Sequence, residues 1–487
     1  MFKNGKLVYI PKKVSNKEKT WLDELGIPPL GDKFVIKFET AGGNSIMEQS
    51  VYAGKKVTKP SNPIKNDYEF LYWYYYVNQG TESSPNYVEK EFDFNTEVKQ
   101  DYTLYAKYDG EAIMQPATID GSNLFWKYRD LITEASIIRV DSISIPETAK
   151  EKWEHVERDE KCSQISAYIE DDGTGTGKYK LTICSTKEIF AHAYSDFFFY
   201  KFSNLKRVDL SNYNTQKSVS LVNFFGEDKL LEEIKNFNFK TSHVKYMSQM
   251  FYHCNKLNKI DTNLFDTEDV KAMNYMFAGC ESITNLDLSN FKTNKVINMQ
   301  GMFEGMSNVT SINIDSFNTD QTTNLSYLFS GCKKLESLKI NNINTEKVTN
   351  MSYMFQNCAK LKNIDLSSFK TNNVENYTYM FYQCTALENL NITNFNFEKA
   401  QDISRMFSYC RNLTTEININ APSDVKYEKI FNGTSTNQNS KVKVNYTLQS
   451  TTLVDNIINT KSNNSNVIKG NEYSIWKNHN ILLKNKK

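Results

Sequence analysis

Residues 335–360 read LESLKINNINTEKVTNMSYMFQNCAK, and at Leu361 the line starts again as LKNIDLSSFKTNNVENYTYMFYQCTA. The phenylalanine of the Met-Phe step recurs at Phe199, Phe225, Phe251, Phe277, Phe303, Phe329, Phe355, Phe381 and Phe407, always 26 residues on. A further copy at Phe431 arrives two residues early. Self-similarity at such a period marks a stacked architecture and governs how every local motif is read.

The columns of the repeat assign its parts. Each copy opens on Leu205, Leu231, Leu257, Ile283, Val309, Leu335, Leu361, Leu387 or Leu413, followed three and five residues later by apolar pairs such as Leu286/Leu288 and Ile364/Leu366. That alternation predicts a short strand with one face inward. An aromatic or isoleucine follows (Phe291, Phe317, Ile343, Phe369), and then apolar residues at steps of three, as in Val348, Met351 and Met354. Steps of three predict a tight, 3₁₀-like return limb. One copy cannot fold alone. It buries about nine apolar side chains at roughly 1.5–3 kcal/mol each, against an ordering cost of about 1–2 kcal/mol for every residue of its backbone. Stacked neighbours close that gap. The expected fold class is therefore α+β of the repeat type, with a solenoid of nine to ten coils over residues 185–433.

The L-x-x-L-x-L opening matches the leucine-rich-repeat signature. The longer pattern L-S-x-F-x-T-x-x-V-x-x-M-x-x-M-F-x-x-C is met nearly whole at residues 288–303, 340–358 and 366–384. In this the array resembles the BspA-like leucine-rich-repeat surface proteins, including the repeat of unknown function common in mycoplasma surface lipoproteins. Phe224, Met306, Thr322 and Ala400 depart from the pattern without disturbing the period. The resemblance implies a cell-surface or extracellular protein that binds or adheres to a host protein or glycan.

Residues 33–109 read as a separate module. A strand is expected over 33–40, a turn at Gly42-Gly43 and a return over 46–52, with further strand signals around Trp73, over 92–98 and over 103–108. This segment resembles the Listeria–Bacteroides repeat, the internalin B-type repeat, although Asp67 and Tyr72 stand where that family usually places glycine. The resemblance implies a small β-grasp-like fold. Residues 1–32 form a basic segment in which Ser15 and Glu18 fit a capping box, predicting a helix over 15–25. Residues 110–184 are expected to lead into and cap the solenoid. They would form a helix over 122–135 with Trp126 and Leu131 inward, a strand over 137–145, and a hairpin of 165–169 with 179–184. Residues 434–487 are expected to cap the other end, with strands at 442–446 and 473–476 and a basic tail.

With 58 basic and 57 acidic residues the net charge is +1, which gives no electrostatic case for nucleic acid or an anionic membrane. No apolar run is long enough to span a bilayer, and the first residues lack the apolar region of a signal peptide. A phage virion decoration or host-attachment protein is thus the alternative to a cell-surface one, and a structural spacer a further alternative. The Gly-rich stretch over 171–177 lacks the Walker A arrangement, since Tyr179 stands where Ser or Thr is needed. Cys254, Cys280, Cys332, Cys358, Cys384 and Cys410 occupy one repeat column; their spacing is wrong for a metal site and reads as a ladder of small buried thiols. Cys162 and Cys184 face each other across the expected hairpin, which leaves a bridge open. No H-E-x-x-H and no G-x-S-x-G occurs, so no enzyme, metal or cofactor is expected.

Two columns are candidate binding faces. One lies on the strand and includes Asp287, Asn313, Lys339, Asp365 and Asn391. In leucine-rich repeats that inner face often binds. The other immediately precedes the Met-Phe step and includes Tyr275, Tyr327, Tyr353, Tyr379 and Arg405. Tyrosines combine apolar area with a hydroxyl and so suit sugars or a protein partner; packing between neighbouring copies is the competing reading.

Overall fold

The computed structural model describes residues 2–3, 6–7, 32–65, 70–79, 87–108, 112–117, 123–154, 156, 164–237, 239–340 and 342–474. The helix expected over 15–25, Cys162 and Trp476 lie outside them. The chain divides into two units, Met1–Glu111 and Ala112–Lys487.

The first unit holds a five-stranded sheet in the order Gln49–Tyr52, Lys33–Glu39, Tyr102–Tyr108, Phe70–Asn78, Tyr87–Glu91. Lys33–Glu39 runs parallel to Tyr102–Tyr108, and the other pairs are antiparallel. Ile36, Phe38, Trp73, Leu104 and Ala106 are buried, as strand alternation requires. The strand expected over 92–98 is instead a turn: Asp93 accepts the Asn95 and Thr96 backbone N–H groups, through its side chain and its carbonyl respectively. An aspartate that satisfies its own following backbone competes with the sheet ladder.

The second unit begins with a six-stranded sheet in the order Glu151–Glu154, Ile165–Asp171, Tyr179–Ser185, Ile132–Arg139, Arg207–Asp209, Glu233–Lys235. The Ile165–Asp171/Tyr179–Ser185 hairpin forms across the Gly-rich loop, where Gly173, Gly175 and Gly177 all take positive φ. No helix covers 122–135. A 3₁₀ turn at Leu124–Tyr128 seats Trp126 in the core, where its indole N–H donates to the Phe198 carbonyl at 2.6 Å. Leu131 is exposed. From Ile132 the chain is already a strand, because the β-branched run Ile132-Thr-Glu-Ala-Ser-Ile-Ile finds parallel partners on both edges. The strand expected over 137–145 therefore ends at Arg139.

Beyond this sheet the repeats stack in parallel. Bridges join Tyr194, Ser220, Tyr246, Ala272, Asn298, Asn324, Asn350, Asn376, Asp402 and Lys426 in succession, every step 26 residues except the last, which is 24. Phe199 to Phe431 form a continuous ladder of stacked rings, with neighbouring centroids 5.4–6.2 Å apart. At the far end a parallel sheet of Thr415–Ile419, Val442–Tyr446 and Val467–Glu472 is followed or flanked by a helix, Thr451–Ile458, that buries Leu453, Val454 and Ile457. The last strand ends at Glu472, before the expected 473–476.

The return limb is not 3₁₀. Along it, alternate peptides bond within the repeat and to the next one. Met276, Ala278 and Cys280 N–H donate to the carbonyls of Met273, Tyr275 and Phe277, whereas Tyr275, Phe277 and Gly279 N–H donate to Gln300, Met302 and Glu304. A helix would spend every N–H internally; here half of them hold the stack together. Helix among the described residues is confined to Thr451–Ile458 and three short 3₁₀ turns. The chain is mostly β, with several small sheets, rather than α+β.

Candidate binding faces

The strand face is built from short parallel pairs, Asn285–Asp287 with Ser311–Asn313 and Asn363–Asp365 with Asn389–Asn391. Leu286, Ile312, Ile364 and Leu390 point inward, so their neighbours point out. Asp287, Lys339, Asp365 and Asn391 are exposed and Asn313 half-buried. The Asp287 carboxylate accepts the Ser289 N–H at 3.0 Å and the Asn313 amide at 2.9 Å. Ser289, its backbone N–H first, holds that carboxyl below the usual range, and Ser367 does the same for Asp365. Both carry full negative charge at neutral pH. Two shallow clefts open on this face. One, of about 420 Å³, brings together Asp287, Asn313 and Lys339. The other, of about 540 Å³, brings together Lys339, Asp365 and Asn391.

The tyrosine column has a backbone feature that its residue types conceal. Gln249, Tyr275, Gly301, Tyr327, Tyr353, Tyr379 and Arg405 all adopt φ of 58–61°, the left-handed region that bulky residues rarely enter. A second left-handed position follows four residues later, at His253, Gly279, Gly305, Gly331, Asn357, Gln383 and Tyr409. Gly301 among tyrosines was the sequence signal for it. Side-chain stacking offsets the strain. Tyr327 and Tyr353 lie 4.4 Å apart at 5°, and Tyr353 and Tyr379 4.7 Å apart at 8°. Arg405 closes that end: its guanidinium lies 5.5 Å from the Tyr379 ring centre and pairs with Glu428 at 2.9 Å. Both faces of Tyr353 are therefore covered, and the tyrosines offer edges rather than faces to a ligand. Tyr275 stands apart and makes its ring contact with Tyr252, at 6.2 Å. Tyr379, Arg405, Tyr427 and Glu428 share a cleft of about 480 Å³.

The cysteine column is structural. All six side chains are fully buried free thiols. Each donates to the carbonyl of a phenylalanine 29 residues earlier, from Cys254 to Phe225 at 3.1 Å through Cys410 to Phe381 at 2.9 Å. Burial pushes Cys384 up to about 12 and the others also upward, so none is a nucleophile at neutral pH. Cys184 is a buried free thiol paired in register with Ser166.

Residues 194–312 and 298–421 match the model of a family described as "Mycoplasma protein of unknown function, DUF285". The repeats are thus similar to that family. Residues 34–107 match the Listeria-Bacteroides repeat domain, which spans the five-stranded sheet. No curated protein matches the chain. Among solved structures, a chain of "Crystal structure of TLR13-ssRNA13 complex" is similar at 14% identity with a TM-score of 0.15, covering 58% of this chain and 53% of that one. This chain thus spans about half the length of that structure. Among the described residues no helix is long and apolar enough to cross a membrane.

Proposed function

We infer that the chain is a non-enzymatic surface protein of the binding or adhesion kind, and that residues 185–433 form a solenoid of nine to ten coils recognising a host protein or glycan. A β-grasp-like module at residues 33–109, a lead-in at 110–184 and a cap at 434–487 complete this reading. The observation that carries it is the strand face. Charged and amide side chains stand outward at a fixed interval, and Asp287, Asn313, Lys339, Asp365 and Asn391 line two clefts that share Lys339. A laterally repeated set of weak contacts gains affinity through multivalency without any single strong site. Both resemblances, to the mycoplasma repeat and to the Listeria–Bacteroides repeat, support a surface setting.

The test is capture of the full chain on arrays of host matrix proteins and glycans, alongside the variant carrying Asp287→Ala, Asn313→Ala, Lys339→Ala, Asp365→Ala and Asn391→Ala. These positions are exposed or half-buried and the variant should fold. A ligand held by the wild type and lost at least tenfold by the variant is the expected result. Equal capture by the two proteins would move binding off this face.

A further inference from the structure

The tyrosine stack has one missing rung. Between Tyr275 and Tyr327 the column holds Gly301, so the outer face of Tyr327 meets no ring from the next repeat. Tyr275 leans over this glycine: a Cβ placed on Gly301 would sit 2.3 Å from its ring. Glu304 lies beside the break, with its N–H donating to the Gly301 carbonyl at 3.0 Å. Its carboxyl is half-buried, and no cation pairs with it among the described residues. Burial, and after it the charge of Glu304, raise the hydroxyl pKa of both Tyr275 and Tyr327, which places that carboxyl close to both. Burial also raises the pKa of Glu304 itself, so a cation brought to it gains a partner that water serves poorly.

The other end of the same stack shows what belongs in such a place. There Arg405 occupies the column, lays its guanidinium over Tyr379 and pairs with Glu428. A planar cation is attracted to a ring face and donates a fork of N–H groups to a carboxylate. The break at Gly301 offers the ring and the carboxylate without the cation.

We propose that the break at Gly301 receives an arginine side chain of a protein partner, with Glu304 as the counter-charge and Tyr327 and Tyr275 as the ring faces. The proposal rests on the reading of the array as a binding surface and assigns it a chemical preference for a basic peptide segment. It uses the tyrosine face, not the strand face.

Saturation-transfer NMR on the full chain tests it, with the capped peptide Gly-Arg-Gly as probe and its citrulline isostere as control. Citrulline keeps the shape and loses the charge. The arginine peptide should bind at least tenfold more tightly. Glu304→Gln, which borrows the residue found at Gln356 in the same column, should weaken it at least fivefold. Gly301→Tyr, which borrows the residue of the neighbouring rungs, should complete the stack and abolish binding. Equal affinity for the two peptides, or binding unchanged in folded Glu304→Gln, would overturn the proposal. Loss of peptide binding with host-surface capture intact would remove this site alone. Peptide binding retained by a chain that captures no host ligand would instead remove the surface reading.

Discussion

At the scale of single residues, the most informative is Asp228. It stands in the column that elsewhere holds Cys254, Cys280 or Thr434, whose side chains donate to a phenylalanine carbonyl. Asp228 is fully buried; one oxygen accepts the Phe202 N–H at 2.8 Å, and the other has no hydrogen-bond partner among the described residues. Burial, with the Glu227 charge adding to it, raises its pKa well above the usual carboxylate range. Asp196 is likewise pushed up to about 6 by burial, although Ser220 and Val222 donate to it. The folded chain thus holds protons that the unfolded chain has released. Stability from both groups is present below the ordinary aspartate range near 4, is lost as pH rises through the raised values, and does not return above them. Asp228→Cys should therefore stabilise the protein at pH 7.5 by about 1–3 kcal/mol, the usual cost of an unpaired buried polar group. The gain should shrink at pH 4.5. Calorimetric melts at the two pH values check this. A gain of equal size at both would assign the effect to packing and not to charge.

At the scale of the element, the repeat is closed by a threonine clip. The Thr319 hydroxyl donates to the Asn344 carbonyl and accepts the Asn344 N–H, both at 2.8 Å. Thr241, Thr267, Thr293 and Thr345 bind the next repeat in the same way. Where the column changes to Phe397, the Asn420 side chain takes its N–H and the Tyr377 hydroxyl reaches the Asn396 carbonyl. Thr319→Val keeps the shape but strands a donor and an acceptor, and should cost about 2–4 kcal/mol. Thr319→Ser should recover most of that, as read by denaturant midpoints. Much of this element was legible in the sequence, because the period and the inward columns depend on apolar spacing alone. The clip was not, since the partner of each threonine lies 25 residues away and backbone carries no letter. The return limb was misread for a related reason. Apolar residues at steps of three fit a 3₁₀ turn, but tyrosine at a left-handed φ gives no sign of itself, and only stacking in the folded array stabilises it. Of the candidate site, the columns were visible, whereas the break at Gly301 and the Arg405–Glu428 pair required knowing which residues face each other across repeats.

At the scale of the whole molecule, the array behaves as a sum of repeats and the interfaces between them. Each internal copy meets a near-identical surface above and below: Phe329 stacks on Phe355 at 5.6 Å and Phe355 on Phe381 at 5.5 Å. Removing residues 335–360 deletes one full period and brings Phe329 against Phe381, the Cys332 column against Cys384 and Tyr327 against Tyr379. Every inward position then still faces inward. Removing residues 335–347 deletes half a period; it sets strand positions against return-limb positions and strands the alternate N–H groups that join neighbouring repeats. The in-phase deletion should fold, melt in one transition and lose a few degrees in Tm, because one interface is gone while both ends keep their caps. The half-period deletion should lose the cooperative melt or expose apolar surface to a hydrophobic dye. Circular dichroism melts of the two shortened chains against the full one decide it. If both fold equally well, the columns are not in register across repeats; if neither folds, stability is pooled over the array and not shared between neighbours.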